Sequence, residues 1–96
     1  MVTIEQAKRI IHRMEVEFDS HDFINDYMTL YERDYVGLLM EKIDSEYIFR
    51  TVNSSIGRFL ADHQKELEIS KAERITSHNV RGNDTENQSR IKNARV

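Results

Sequence analysis

Apolar residues recur along the first part of the chain at the spacing of one α-helix face. Ile4, Ala7, Ile11, Met14 and Phe18 fall at i, i+3, i+7, i+10 and i+14, Ile10 widens the stripe, and Lys8, Arg9, His12 and Arg13 lie opposite. That pattern predicts an amphipathic helix near residues 3–17. Thr3 stands where a cap belongs, without a capping box around it.

Asp19 followed by Asp22 marks a second start, because acids there meet the unpaired amides of a first turn, and Phe18 and Phe23 take the two staple positions. The chain is expected to bend near Asp19. Phe23, Ile24, Tyr27, Met28, Leu30, Tyr31, Tyr35, Leu38 and Leu39 then cover roughly half the circumference of one long helix over 20–43. An arc of that width touches two neighbours. Asp34 falls within it, where an unpaired carboxylate is costly, so it is expected at the arc's edge or paired with an arginine such as Arg13.

The third pattern, from about Glu46 to Leu67, puts Phe49, Val52, Ile56, Phe59, Leu60 and Leu67 on one side, with Asp44, Ser45 or Thr51 as candidate caps and a helix expected near 51–67. With Thr51 as the cap, Asn53, Ser54, Gly57, Arg58 and Ala61 form a small, polar, exposed side. The expected core is Ile11, Met14, Phe23, Tyr27, Leu38, Val52, Ile56, Phe59 and Leu60.

Beyond Leu67 the composition changes: Ile75, Val80 and Ile91 are the only large branched residues from Lys71 to Arg95. A disordered tail and a β-hairpin both fit. The hairpin is preferred, with Arg74–Val80 and Thr85–Lys92 as strands around Arg81-Gly82-Asn83-Asp84, where Gly82 and Asn83 tolerate positive φ. The predicted class is therefore mostly α with a C-terminal β-hairpin: a three-helix core over 1–70, a polar hairpin or wing over 71–92 resting on it through Ile75, Val80 and Ile91, and a frayed tail over 93–96.

Length and composition narrow the function. Ninety-six residues, 39% apolar and 32% charged, make room for one small core. The absence of cysteine excludes disulfides, thiolate zinc and a cysteine nucleophile. No apolar run reaches bilayer length, and the first residues read as an interrupted amphipathic pattern rather than a leader, so no membrane partner and a cytoplasmic location are expected. Charge is divided unevenly. Residues 15–46 hold ten acids against two bases, a local balance of −8, whereas residues 70–96 hold six bases against three acids, a balance of +3. The first stretch repels nucleic acid; the second suits an anionic partner.

Catalytic and metal chemistry find no support in the pattern. His12, His21, His63 and His78 have no metal-ligand spacing, Gly37, Gly57 and Gly82 stand alone, and Ser54 and Ser55 have no elbow motif. Asn53-Ser54-Ser55, Asn83-Asp84-Thr85 and Asn87-Gln88-Ser89 match the glycosylation sequon only as accidents of composition. No enzyme activity, cofactor or metal is expected.

Three helices followed by a polar hairpin with a basic tip resemble, in architecture, a winged helix-turn-helix module. The resemblance spans residues 3–92 and carries no diagnostic motif. It implies that the third helix enters the major groove and the wing touches the backbone, here Thr51 to Arg58 and the Arg81-Gly82 turn. Asn53 and Arg58 have donors that read bases, and Gly57 and Ala61 permit close approach. Arg50, Ser54, Lys71, Arg74, Arg81 and Arg90 complete the implied nucleic-acid-binding set. Two features depart from the family: the second helix reads as long and acidic where the family has a short one, and the third carries Asp62 and few bases.

The leading expectation is a small non-enzymatic module for binding a protein partner or for self-association, with Tyr27, Tyr31 and Tyr35 as a candidate interface stripe or, more ordinarily, core-edge packing. The alternative is a winged-helix-like transcription regulator bound to double-stranded DNA. Arg58, Arg74, Arg81 and Arg90 discriminate: gathered on one face they favour nucleic acid, scattered they favour protein.

Overall fold

The computed structural model describes residues 1–93, and its first helix, α1 (Ile4–Arg13), begins at a capped position. The Gln6 N–H donates to Thr3 Oγ1 and the Thr3 N–H donates to Gln6 Oε1, each at 3.1 Å. A capping box is thus present, contrary to expectation, because glutamine serves as well as glutamate at its third position. α1 stops at Arg13, short of the predicted end. Met14 is already extended, and Glu17–Asp19 form a short strand, β1. Three residues are too few to show a period, so the helical stripe masked this strand.

Asp19 ends β1 and caps α2 (Ser20–Leu30), as the acid spacing predicts. Its Oδ1 accepts from the Asp22 N–H at 2.8 Å, while Asp22 Oδ2 accepts from the Asp19 N–H at 3.0 Å. Phe18 and Phe23, the staple pair, are both buried. The long second helix is broken: α2 ends at Tyr31, and α3 (Glu32–Glu41) starts there again. The break follows from the width of the apolar arc, which a straight helix cannot turn towards one core. Bending at Tyr31 lets Tyr27 and Tyr35 both enter the interior, with ring centroids 6.2 Å apart and edge to face. Asp34 is exposed and accepts from Gln6 Nε2 at 2.8 Å, so its partner is a neutral amide on α1 rather than Arg13.

A turn over Lys42–Tyr47 leads into α4 (Ile48–Asp62), followed by the single turn α5 (Gln64–Leu67). The start differs from expectation. Tyr47 occupies the cap position without a side-chain hydrogen bond, and Thr51 lies inside the helix, its carbonyl accepting from Ser55 Oγ at 3.0 Å. Phe49, placed on the buried side by periodicity, is 39% exposed.

The last elements are β2 (Ile69–His78) and β3 (Asp84–Lys92), joined by the Asn79–Asn83 turn. Gly82 adopts φ +82 there, and the Asn79 side chain accepts from the Arg81 and Asn83 amides at 2.9 and 3.1 Å. The described residues form one antiparallel sheet in the order β1-β3-β2, with Phe18 opposite Arg90 and Ile69 opposite Lys92. The hairpin is consequently longer than predicted and belongs to the core rather than resting on it. Ile69, Asn87, Ser89 and Arg90 are its buried residues, whereas Ile75 and Val80 are half-buried and Ile91 is exposed. β1 pairs with β3, so the hairpin shares its sheet with the segment between α1 and α2. At the expected frayed end, the Asn93 N–H donates to the Glu68 carbonyl at 2.9 Å; residues 94–96 lie outside the described residues.

Of the expected core, Ile11, Phe23, Tyr27, Leu38, Val52, Ile56 and Leu60 are buried, and Met14 and Phe59 pack partly buried against them. Replacing Ile56, which is fully buried, with alanine is expected to lower stability by about 2–5 kcal/mol in denaturant unfolding, the usual cost of a buried isoleucine. Burial first, with the Asp34 charge and Tyr31 adding to it, pushes the Tyr27 hydroxyl up to about 12. A raised folded-state value keeps its stabilising contribution below the unfolded value near 10 and loses it as pH rises through 12. Alkaline titration should therefore show loss of folded signal between about pH 10 and 12, and Tyr27→Phe should remove that part of the loss, as read by circular dichroism beside tyrosinate absorbance.

Candidate functional site

The α4 helix and the β2–β3 hairpin stand apart at their polar sides and enclose an open cleft of about 850 Å³, with the start of α2 at its back. Arg50, Asn53, Ser54, Gly57 and Ala61 line it from α4. Lys71, Arg74, Arg81 and Arg90 line it from the hairpin. Seven of the eight candidate nucleic-acid residues thus meet in one place. Arg58, the eighth, is exposed on α4 but does not line the cleft. The basic residues of the cleft outnumber its two acids, Glu46 and Glu86, so the concave surface is positive although the chain carries −3.

A β-bulge produces this clustering. Residues three apart on a regular strand point to opposite faces. Between the pairs Lys71↔Arg90 and Arg74↔Gln88 the register shifts, so that Ala72 and Glu73 together oppose Ser89. The extra residue returns Arg74 to the face that Lys71 occupies, with Gln88 and Arg90 beside them. The Gln88 side chain closes the irregularity: its Nε2 donates to the Ala72 carbonyl at 2.8 Å and the Ser89 carbonyl at 2.9 Å. Nothing in the hydrophobic pattern marks this bulge, since Gln88 reads as one more polar residue in a polar strand.

Arg90 is 2% exposed. Its Nη1 donates to Ser20 Oγ at 2.7 Å and to the Gln88 carbonyl at 3.4 Å, and its Nη2 donates to the Gly57 carbonyl at 3.3 Å. Burial, followed by the neighbouring Arg74 charge, lowers its pKa from the usual arginine range. Its charge is therefore held in place beneath the cleft rather than displayed on the surface.

At the mouth, aromatic rings hold the outer guanidinia. Arg81 lies over Phe49 at 5.6 Å from the ring centroid, joining the hairpin tip to the first turn of α4, and Arg50 lies over Tyr47 at 5.7 Å. Tyr47 and Phe49 went unread as site residues; the signal available was the Tyr47-Ile48-Phe49-Arg50 run, in which two aromatics precede a base. Asn53 accepts from the Tyr35 hydroxyl at 2.8 Å, so its amide nitrogen is the donor it can offer a ligand. His21 is tied to the hairpin, Nδ1 to Ser77 Oγ at 2.9 Å and Nε2 to Thr85 Oγ1 at 3.2 Å, with the Asn87 side chain accepting from its backbone N–H at 3.2 Å.

The tyrosine stripe is a different case. Tyr27 and Tyr35 are buried in the core and Tyr31 is half-buried against Tyr27, with centroids 5.7 Å apart, so the stripe is consumed by packing and leaves little surface for a partner. Among the described residues no three metal-binding side chains converge, and no helix is long and apolar enough to cross a membrane.

No family model, curated protein or solved structure matches the chain.

Gly57 shows what the cleft costs the fold. A Cβ built there would meet only Ser20 Oγ, at 4.0 Å, so packing does not demand glycine. A glycine inside a helix costs about 1 kcal/mol relative to alanine. Gly57→Ala should therefore raise the melting temperature. If the residue serves close approach of a ligand, the same substitution should weaken binding in the cleft, as measured by titration.

Proposed function

We propose that the protein is a winged-helix-like DNA-binding module of the cytoplasm that grips duplex DNA with the exposed side of α4 and the basic hairpin. The observation that carries this reading is the convergence of Arg50, Lys71, Arg74 and Arg81 with Asn53 and Ser54 on one concave surface. Of the four discriminating arginines, Arg74, Arg81 and Arg90 share that surface. The break at Tyr31 also removes the long second helix that departed from the family pattern, leaving the short α3 joined through the Lys42–Tyr47 turn to α4. In this reading Asn53 reads base edges, Arg50, Lys71, Arg74 and Arg81 neutralise phosphates, and Gly57 and Ala61 let the backbone come near. Arg58, outside the cleft, would meet flanking phosphates.

A second reading, a protein-binding or self-associating module, is favoured by a different observation. Val36 and Met40 on α3 and Ile43 in the turn that follows it are 51–62% exposed, and none of them lines the cleft.

Titration of the protein with duplex DNA at low salt separates the two. Binding tighter than about 10⁻⁴ M, with a strong salt dependence, is expected of the first reading. Arg50→Ala should weaken it and reduce the salt slope by about 1, alike across sequences, whereas Asn53→Ala should alter sequence preference. Absence of binding at that concentration would rule out the DNA reading and leave the protein-interaction reading.

A further inference from the structure

Arg90 raises a question that duplex binding does not answer. A buried charge ordinarily has a charged partner, because removal from water is repaid only by close opposite charge and full hydrogen bonding. Here the acceptors are all neutral: a serine hydroxyl and two backbone carbonyls. Its Nε is buried and has no hydrogen-bond partner among the described residues. Among the described residues the ion pairs are His63–Glu66 and His78–Asp84, so none of their carboxylates is in ion-pair contact with Arg90, Arg74 or Lys71. The bulge nevertheless places all three on one face, with Lys71 directly opposite Arg90 across the strands. Three like charges are thus gathered at the floor of an open cleft by a backbone irregularity that places them there.

We propose that this floor is an oxyanion subsite, in which a phosphate group is bound by Arg74 and Lys71 from the cleft side while Arg90 supplies positive charge from beneath. Arg74 and Lys71 are exposed and have the donors to meet the anion; guanidinium matches two oxygens of a phosphate at once. The anion supplies the counter-charge that Arg90 lacks. The subsite goes beyond the duplex-binding reading, since a free phosphate or phosphomonoester satisfies it as well as a backbone phosphate does.

The test is a titration of the protein with inorganic phosphate at constant ionic strength, following the arginine Nε–H resonances by NMR. Saturable shifts at Arg74 and Arg90 are expected, with exposed Arg9 on α1 unchanged. Arg74→Gln, a surface substitution that leaves the fold intact by circular dichroism, should weaken the phosphate affinity roughly tenfold, the loss of about 1.4 kcal/mol from charge-assisted hydrogen bonding. Shifts that grow linearly without saturating, or that are the same in Arg74→Gln, would overturn the subsite. A short duplex added to the phosphate-loaded protein distinguishes the two sources: displacement of phosphate makes the occupant a backbone phosphate, and retention makes it a free one. Duplex binding without phosphate saturation defeats the subsite and spares the DNA reading; phosphate saturation without duplex binding does the reverse.

Discussion

The Arg90 guanidinium, locked between the sheet and two helices by neutral oxygens, is the constraint around which the molecule is arranged. It projects from the central strand β3, takes the Ser20 hydroxyl at the start of α2, and reaches the Gly57 carbonyl in the middle of α4. Arg90 thus ties α4 to the central strand at the floor of the cleft, as Arg81 over Phe49 ties it to the hairpin tip at the mouth. A hydrophobic residue would pack more cheaply at this position, since a buried charge is a weak source of stability. An arginine there places a positive charge at the floor of the cleft.

The strand β1 gives that arrangement its rigidity. An isolated two-stranded hairpin is marginal in water, and a polar one more so. Pairing with Glu17–Asp19 turns β3 into a central strand, and the same Asp19 that ends β1 begins α2 through its capping box. Sheet and helices are joined within a few residues. The polar side chains of β3 that look unsuited to a core are in fact bonded: Ser89 Oγ donates to Glu17 Oε1 at 2.9 Å, and Asn87 Nδ2 donates to Ser77 Oγ at 3.1 Å. Buried polar groups satisfied in this way hold a fixed register, because a shift of one residue would leave every one of them without a partner.

Charge is distributed in keeping with the proposed function. The acids of residues 15–46 stabilise helix starts, as at Asp19 and Asp22, or lie exposed, as Asp34 does. Six of the fourteen bases fall in residues 70–96, and folding brings Arg50 to Lys71, Arg74, Arg81 and Arg90. A molecule with net charge −3 can thereby present a positive cleft to an anion while the acidic stretch of residues 15–46 repels one, which favours approach through the cleft.

The helices, the Asp19 start, most of the interior and the hairpin turn at Gly82 were legible in the sequence, since each rests on local rules of periodicity, capping and positive φ. A reading of polar and basic positions selects Arg50, Asn53, Ser54, Lys71, Arg74, Arg81 and Arg90, which line the cleft, together with Arg58, which does not. Tertiary structure alone decided three things. It broke the second helix at Tyr31, because Tyr27 and Tyr35 had to reach one core; it made a strand of Glu17–Asp19, whose hydrogen-bond partner lies seventy residues away in β3; and it buried Arg90 while leaving Arg74 exposed, although the two read alike in a polar strand. Local sequence carries no record of what will lie opposite, and the depth at which a charge comes to rest depends on the register of a bulged ladder and on the helices packed across it.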